Sequence, residues 1–283
     1  MKAQVANNMM SSFLAFLDNR VLSKGVAYTN HSSQLYKVAQ AVHGDYIIWG
    51  APFKQMVCDA SITSATKFDR IHINGTGPYQ ANTSGISFFQ HHNGQVFFDE
   101  SSAPAGINTV SGSYAIKDFN TYLTSEPEEE LLFTTKFELR PKTTQTVTGL
   151  SMESKTYPAI FIKDNGGRNE PFAFGGLDNT IMDVRAIVLA DSAFNLDAVC
   201  SIMKDCNNAK VALMEHSDFP FNAYGACTGT YNYETLAASK SDSFFVESVS
   251  ISKTVPNRGD YDNINPDVFS AFADFELSNV RTT

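Results

Sequence analysis

The chain is expected to be α+β and mainly β. Its front part reads as a β-sandwich or barrel. Its closing part reads as an antiparallel sheet with one or two helices on a face. Short apolar runs alternate with Gly- and Asn-rich turns through the first half. Helical periodicity is confined to the amino terminus and one mid-chain segment. The last stretch, from Phe269 to Leu277, alternates apolar and polar side chains as a half-buried strand does.

Asn7 to Leu22 predicts the first helix, because Met9, Met10, Phe13, Leu14, Phe16, Leu17 and Val21 recur at helical spacing before Gly25. So apolar a terminal helix must dock, either on its own domain or on a neighbouring copy. Strand signals then follow at Tyr46–Trp49, Arg70–Thr76, Ile86–Gln90, Gln95–Phe98 and Val110–Ile116. His91-His92-Asn93-Gly94 reads as the turn of a hairpin. Ser125 to Glu130 is the one acidic run, read as a solvated loop before a strand-like Leu131 to Leu139. The division expected is a helix over 1–24, a β-rich domain over 25–140, a Thr-, Lys- and Gly-rich linker over 141–156, and an α+β domain over 157–283.

In the second part, Tyr157 to Ile162 and Asp183 to Ala190 read as buried strands. Asp164 to Gly176 between them reads as a Gly-rich loop. Asp191 or Asn195 can cap a helix whose apolar face is Leu196, Val199, Ile202 and Met203. In Ser243 to Val255, Phe245, Val249 and Ile251 alternate with Glu247 and Lys253. In the last strand Phe269, Ala271, Ala273, Phe275 and Leu277 share a face.

The 283 residues include 43% hydrophobic but only 18% charged side chains, with a formal net charge of −9. There is material for a core, so general disorder is excluded. No run approaches the roughly 18 apolar residues of a membrane helix, and an acidic chain is a poor partner for nucleic acid phosphates. No basic start and cleavage pattern marks a signal peptide. The four cysteines, Cys58, Cys200, Cys206 and Cys227, fit no zinc or redox spacing and read as buried thiols.

Catalytic patterns are equally sparse. The Gly166-Gly167-Arg168-Asn169 to Gly175-Gly176 stretch lacks the Gly-Lys-Ser/Thr of a phosphate loop, and Pro171 interrupts it. It reads first as a loop with several φ > 0 positions, with an interaction loop as the functional alternative. Adjacent His91 and His92 would point to opposite faces of a strand and could not share a metal. Asp183 and Asp191 are the best carboxylates for a hydrolase. Trp49, with the Tyr-rich front half, is the best argument for a carbohydrate-binding module. No enzyme signature is found, so no enzyme, cofactor or metal is expected.

The runs Tyr157–Lys163, Gly166–Gly176, Val184–Asp191 and Val268–Leu277 resemble virion structural proteins of tailed bacteriophages. The closing part is similar in element order to tail-terminator and neck-ring proteins. That resemblance implies a homo-oligomer, a hexameric ring at the neck or tail end. The ring would be assembled in the host cytoplasm and held in the virion by other neck and tail proteins. A heterologous contact that closes by rotation makes such a ring, and edge strands can pair with neighbours. DNA would pass through without sequence-specific binding, and an acidic bore would not trap its phosphates. Other roles in the same family are a baseplate or decoration protein. The residues singled out for contacts are Phe13, Phe16, Gly166, Gly167, Arg168, Asn169, Gly175 and Gly176.

Overall fold

The computed structural model describes residues 5–38, 45–134, 138–139, 156–173, 177–220, 229–253 and 268–282. The chain is mainly β, with two curled sheets and few helices. Helix α1 (Val5–Gly25) comes first. The front sheet holds seven strands, β1 (Tyr28–Lys37), β2 (Tyr46–Gly50), β3 (Ile71–Ile73), β4 (Thr76–Tyr79), β5 (Ile86–Gln90), β6 (Gln95–Asp99) and β7 (Val110–Lys117). Their spatial order is β4-β3-β7-β1-β2-β6-β5. The first eight residues of β1 pair with β7, and its last two pair with β2. One strand therefore serves two flanks, and the sheet curls around a core that includes Leu35, Trp49, Phe68, Phe98 and Tyr114. The predicted hairpin closes at residues 91–94, where Gly94 takes φ +63 and has no room for a side chain.

After β8 (Asn120–Leu123) comes a short helical turn, Glu130–Thr134. A minor parallel pair joins β9 (Glu138–Leu139) to β10 (Thr156–Tyr157). The second sheet then gathers β11 (Ala159–Ala173), β12 (Leu177–Ala190), β13 (Lys210–Ala212), β14 (Ser243–Lys253) and β15 (Phe269–Thr282). Its order is β13-β14-β15-β12-β11-β8. Helices α2 (Ala193–Lys204) and α3 (Tyr233–Ser239) accompany it. Ser192 is the cap of α2, its Oγ accepting from the Asn195 N–H, rather than either of the two residues read from the sequence.

Helix α1 docks on its own chain, and every residue from Ser11 to Asn19 is buried. Phe13 meets Phe275 edge-on at 4.9 Å. The core around it draws on α2 and on Met182, Val184, Ala186 and Val188 of β12. An amphipathic stripe would need one face, but this helix is enclosed on most of its circumference, so Ser and Asn are buried beside Phe and Leu. Their polar atoms are paired. Ser12 Oγ accepts from the Met214 N–H at 2.9 Å, and Asn19 Nδ2 donates to Asp59 at 2.8 Å.

Several sequence readings are corrected. β8, within the expected front division, pairs with β11 in the second sheet, and α1 packs on that sheet's core. Residues 130–134 are helical, not extended. His91 and His92 lie in the hairpin turn rather than on a strand. In β14 the buried residues are Phe244 and Val246, while Phe245 is exposed. A bulge between Val246 and Ser248 then flips the parity, so Val249 and Ile251 return to the core side. Phe269 is 40% exposed, and the inward face of β15 begins at Ala271. The linker over 141–156 lies outside the described residues save its last residue, as does Cys227.

Candidate interaction surface

The stretch read as a Gly-rich loop is a β-ribbon. β11 and β12 stay paired from Ala159↔Leu189 out to Ala173↔Leu177, with a bulge between Asp164 and Gly167. Gly166 sits in the bulge at φ +102, a conformation that favours glycine. Its N–H donates to Asp164 Oδ1 at 2.7 Å. At Gly167 an added Cβ would lie 2.4 Å from the Ile181 carbonyl, so the close pairing there requires glycine. β15 backs the ribbon on its far side, from Ile181↔Ser278 to Leu177↔Thr282.

The other side of the ribbon is open. β8 covers β11 only from Ala159 to Ile162. From Lys163 onward no described strand pairs with that edge. Asp164 to Pro171 is exposed throughout. An unpaired edge offers a row of N–H and C=O groups to another chain. Here it is partly guarded by charge and by Pro171, both common on edges. Arg168 Nε donates to Glu170 at 2.6 Å and its Nη2 lies 3.5 Å from Glu276. These hydrogen bonds hold its pKa above the usual arginine value.

Gly166, Gly167, Arg168 and Asn169 thus come together on this ribbon, and Gly175 and Gly176 lie outside the described residues. Phe13 and Phe16 do not join them. Both are buried, at 0% and 3% exposure, in the chain's own core. They are unavailable to a neighbouring copy. Trp49 is also buried, at 6%, and presents no platform to a sugar. Asp183 and Asp191 are eight residues apart along β12 and its end, roughly 27 Å at the strand rise. Carboxylate pairs in glycoside hydrolysis stand within about 10 Å. Asp191 instead accepts from Asn195 Nδ2 at 2.7 Å.

A second polar cluster lies where the two sheets meet, and the sequence alone gave no sign of it. Lys117 Nζ reaches both oxygens of Asp18 at 2.7 Å, and Thr121 adds a third bond to that carboxylate at 2.8 Å. The pair ties α1 to β7 and β8, with both side chains under a tenth exposed. Close by, burial and the charge of Lys117 push His91 down to about 4. Burial, then Lys54 and Lys117, does the same to His92. Gln55 Nε2 donates to His92 Nδ1 at 2.8 Å, whereas neither ring nitrogen of His91 has a hydrogen-bond partner among the described residues. A histidine held neutral can donate from one nitrogen and accept at the other. His91 also borders a cavity of about 330 Å³ with Phe68, Phe88, Phe89, Asp69 and Gln80.

Among the described residues no group of three or more His, Cys, Asp or Glu is placed to hold a metal ion. Cys58, Cys200 and Cys206 are buried, and burial pushes the Cys206 thiol up to about 11. Among the described residues no helix is long and apolar enough to cross a membrane. No protein-family model matches the chain, and no curated protein matches it.

Proposed function

We propose that the chain is a structural, self-assembling subunit of a tailed-phage particle, forming a ring at the neck or tail end. The open edge of β11 from Lys163 to Ala173 is the observation that carries this reading. A ribbon backed by β12 and β15, yet exposed along one side, is an arm for a neighbour. Main-chain pairing would supply the contact and the exposed Arg168 and Asn169 its selectivity. The low charge of the chain is consistent with extensive contacts, because burying unpaired ions is costly.

Its ring would be closed by a heterologous contact, with DNA passing through an acidic bore. The tail-terminator likeness supplies position and copy number. Light scattering on the purified chain, with imaging of intact particles, tests this. A ring, and the chain's presence at one end of the tail, are expected. A strictly monomeric protein absent from particles contradicts it.

A further inference from the structure

One groove on the molecule has the wrong charge for its surroundings. On a chain of net charge −9, a cavity of about 550 Å³ opens between α1, α3 and β13. Arg20, Lys24, Lys210 and Lys240 line it, against Glu234 and Asp242. Lys240 is taken by Asp218 at 2.6 Å. Arg20 lies over the Phe16 ring at 5.2 Å. No carboxylate of the described residues pairs with Arg20, Lys24 or Lys210. With Lys240 taken, three cations face two carboxylates, none of them in an ion pair with those cations, so the groove keeps an excess of positive charge on an acidic chain.

The chain's one acidic run sits at the opposite end of the same sheet. The groove is at β13, one edge of the six-stranded sheet, and the run follows β8, the other edge. Five strand spacings, about 24 Å, separate them. They also lie on opposite faces. α1 packs on the face carrying Met182, Val184 and Ala186. Arg185 points to the other face, where its Nη1 donates to Glu128 of the run at 2.7 Å. That contact pins the run to the sheet while Glu129 beside it is exposed and unpaired among the described residues. One copy therefore cannot fill its own groove.

We propose that the acidic run at 126–130 of one copy docks in the basic groove of the next. This rests on the assembly reading above and names the surfaces that meet. The two patches differ, so the contact is heterologous, and repetition closes a ring or runs on as a filament. Opposite edges of one rigid sheet give each copy a head and a tail. The contact would lie beside the ribbon arm and supply its register through charge.

The test is a charge swap in the full chain, read by light scattering. Lys24 and Lys210 are exposed, so Lys24→Glu with Lys210→Glu should leave thermal unfolding nearly unchanged. Assembly should weaken about a hundredfold in concentration, as should assembly of the unaltered chain in high salt. Glu129→Lys should weaken it by about tenfold. Combining the groove and run changes in one chain should restore much of the loss. If the unaltered chain assembles and the groove variant assembles equally well, the groove contact is overturned while the structural reading stands. If the swap fails to restore a loss seen in both single variants, the pairing of these two patches is overturned. A monomer at every concentration and salt would overturn both.

Discussion

The inner and outer halves of β11 are one strand in two environments. Ala159 to Ile162 is fully buried between β8 and β12, and Asp164 to Pro171 is exposed with one edge bare. The hydrogen-bond ladder to β12 runs through both. Backbone pairing therefore continues past the point where burial ends, and the two have different roles. Burial fixes the body of the sheet. Pairing alone extends the ribbon, leaving its edge without a described strand beside it.

The difference between the halves can be broken first in the body. Phe275 is 2% exposed against Phe13. Phe275→Asp would bury an unpaired charge and should cost about 4 kcal/mol or more. Urea unfolding followed by fluorescence would show a large loss of stability, if the variant folds at all. Unchanged stability would mean that the inward face of β15 is reversed. At the junction, Asp18→Ala removes the carboxylate bonded by Lys117 and Thr121 and should cost about 3–5 kcal/mol. Asp18→Leu with Lys117→Met should recover most of that, because the pair's attraction and its desolvation nearly cancel. A double variant as unstable as the single one would contradict this.

Acid should act on the junction and not on the ribbon. An unfolded histidine takes its proton near pH 6.5, but His91 and His92 do so only near 4 when folded. The unfolded chain therefore holds more protons between those values, and stability falls as pH drops from 6.5 to 4. For His91 the loss is roughly 3 kcal/mol by pH 4. His91→Leu should flatten part of that slope and, by removing unpaired buried nitrogens, leave neutral stability equal or higher. Denaturant midpoints measured across this range decide it. Chemical shifts showing either histidine charged at pH 5.5 would refute it.

The ribbon should respond least in stability and most in assembly. Gly167→Val crowds the Ile181 carbonyl and should cost about 1–3 kcal/mol, read as a lowered melting temperature. Arg168→Glu should change stability by less than about 0.5 kcal/mol, because its ion pairs are exposed. Its effect should appear in the mass of the assembled species. If Arg168→Glu instead unfolds the chain, the ribbon belongs to the core.

The same contrast explains which parts of the structure were legible in the sequence. Tyr46, Ile86 and Gln95 mark strand starts because short apolar runs there end at turn residues. α1 was legible from its apolar repeat, and its docking partner was not, since Ser and Asn give no sign of their buried hydrogen bonds. The ribbon was misread as a loop because Gly, Asn and Pro disfavour strands on average. Their edge position and a glycine bulge are long-range facts. In β14 only Phe245 was placed on the wrong face, while Val249 and Ile251 were legible, since the bulge between them leaves no mark in composition. Of the candidate site, Arg168 and its neighbours were legible as a surface loop. Arg20, Lys24 and Lys210 were not, because Lys210 is nearly two hundred residues from the other two in sequence and meets them only where α1 packs beside β13.

The most direct test is to remove the outer ribbon and leave the body intact. Residues 168–181 can be replaced by an Asn-Gly turn joining Gly167 to Met182, which are paired opposite each other, so that Arg168 and Asn169 are removed with the outer edge. Light scattering would follow the mass of this variant and of the unaltered chain over a range of concentrations. The account predicts a ring from the unaltered chain, and a folded monomer with nearly unchanged melting from the shortened one. A shortened chain that assembles like the unaltered one, or an unaltered chain that stays monomeric, would contradict it.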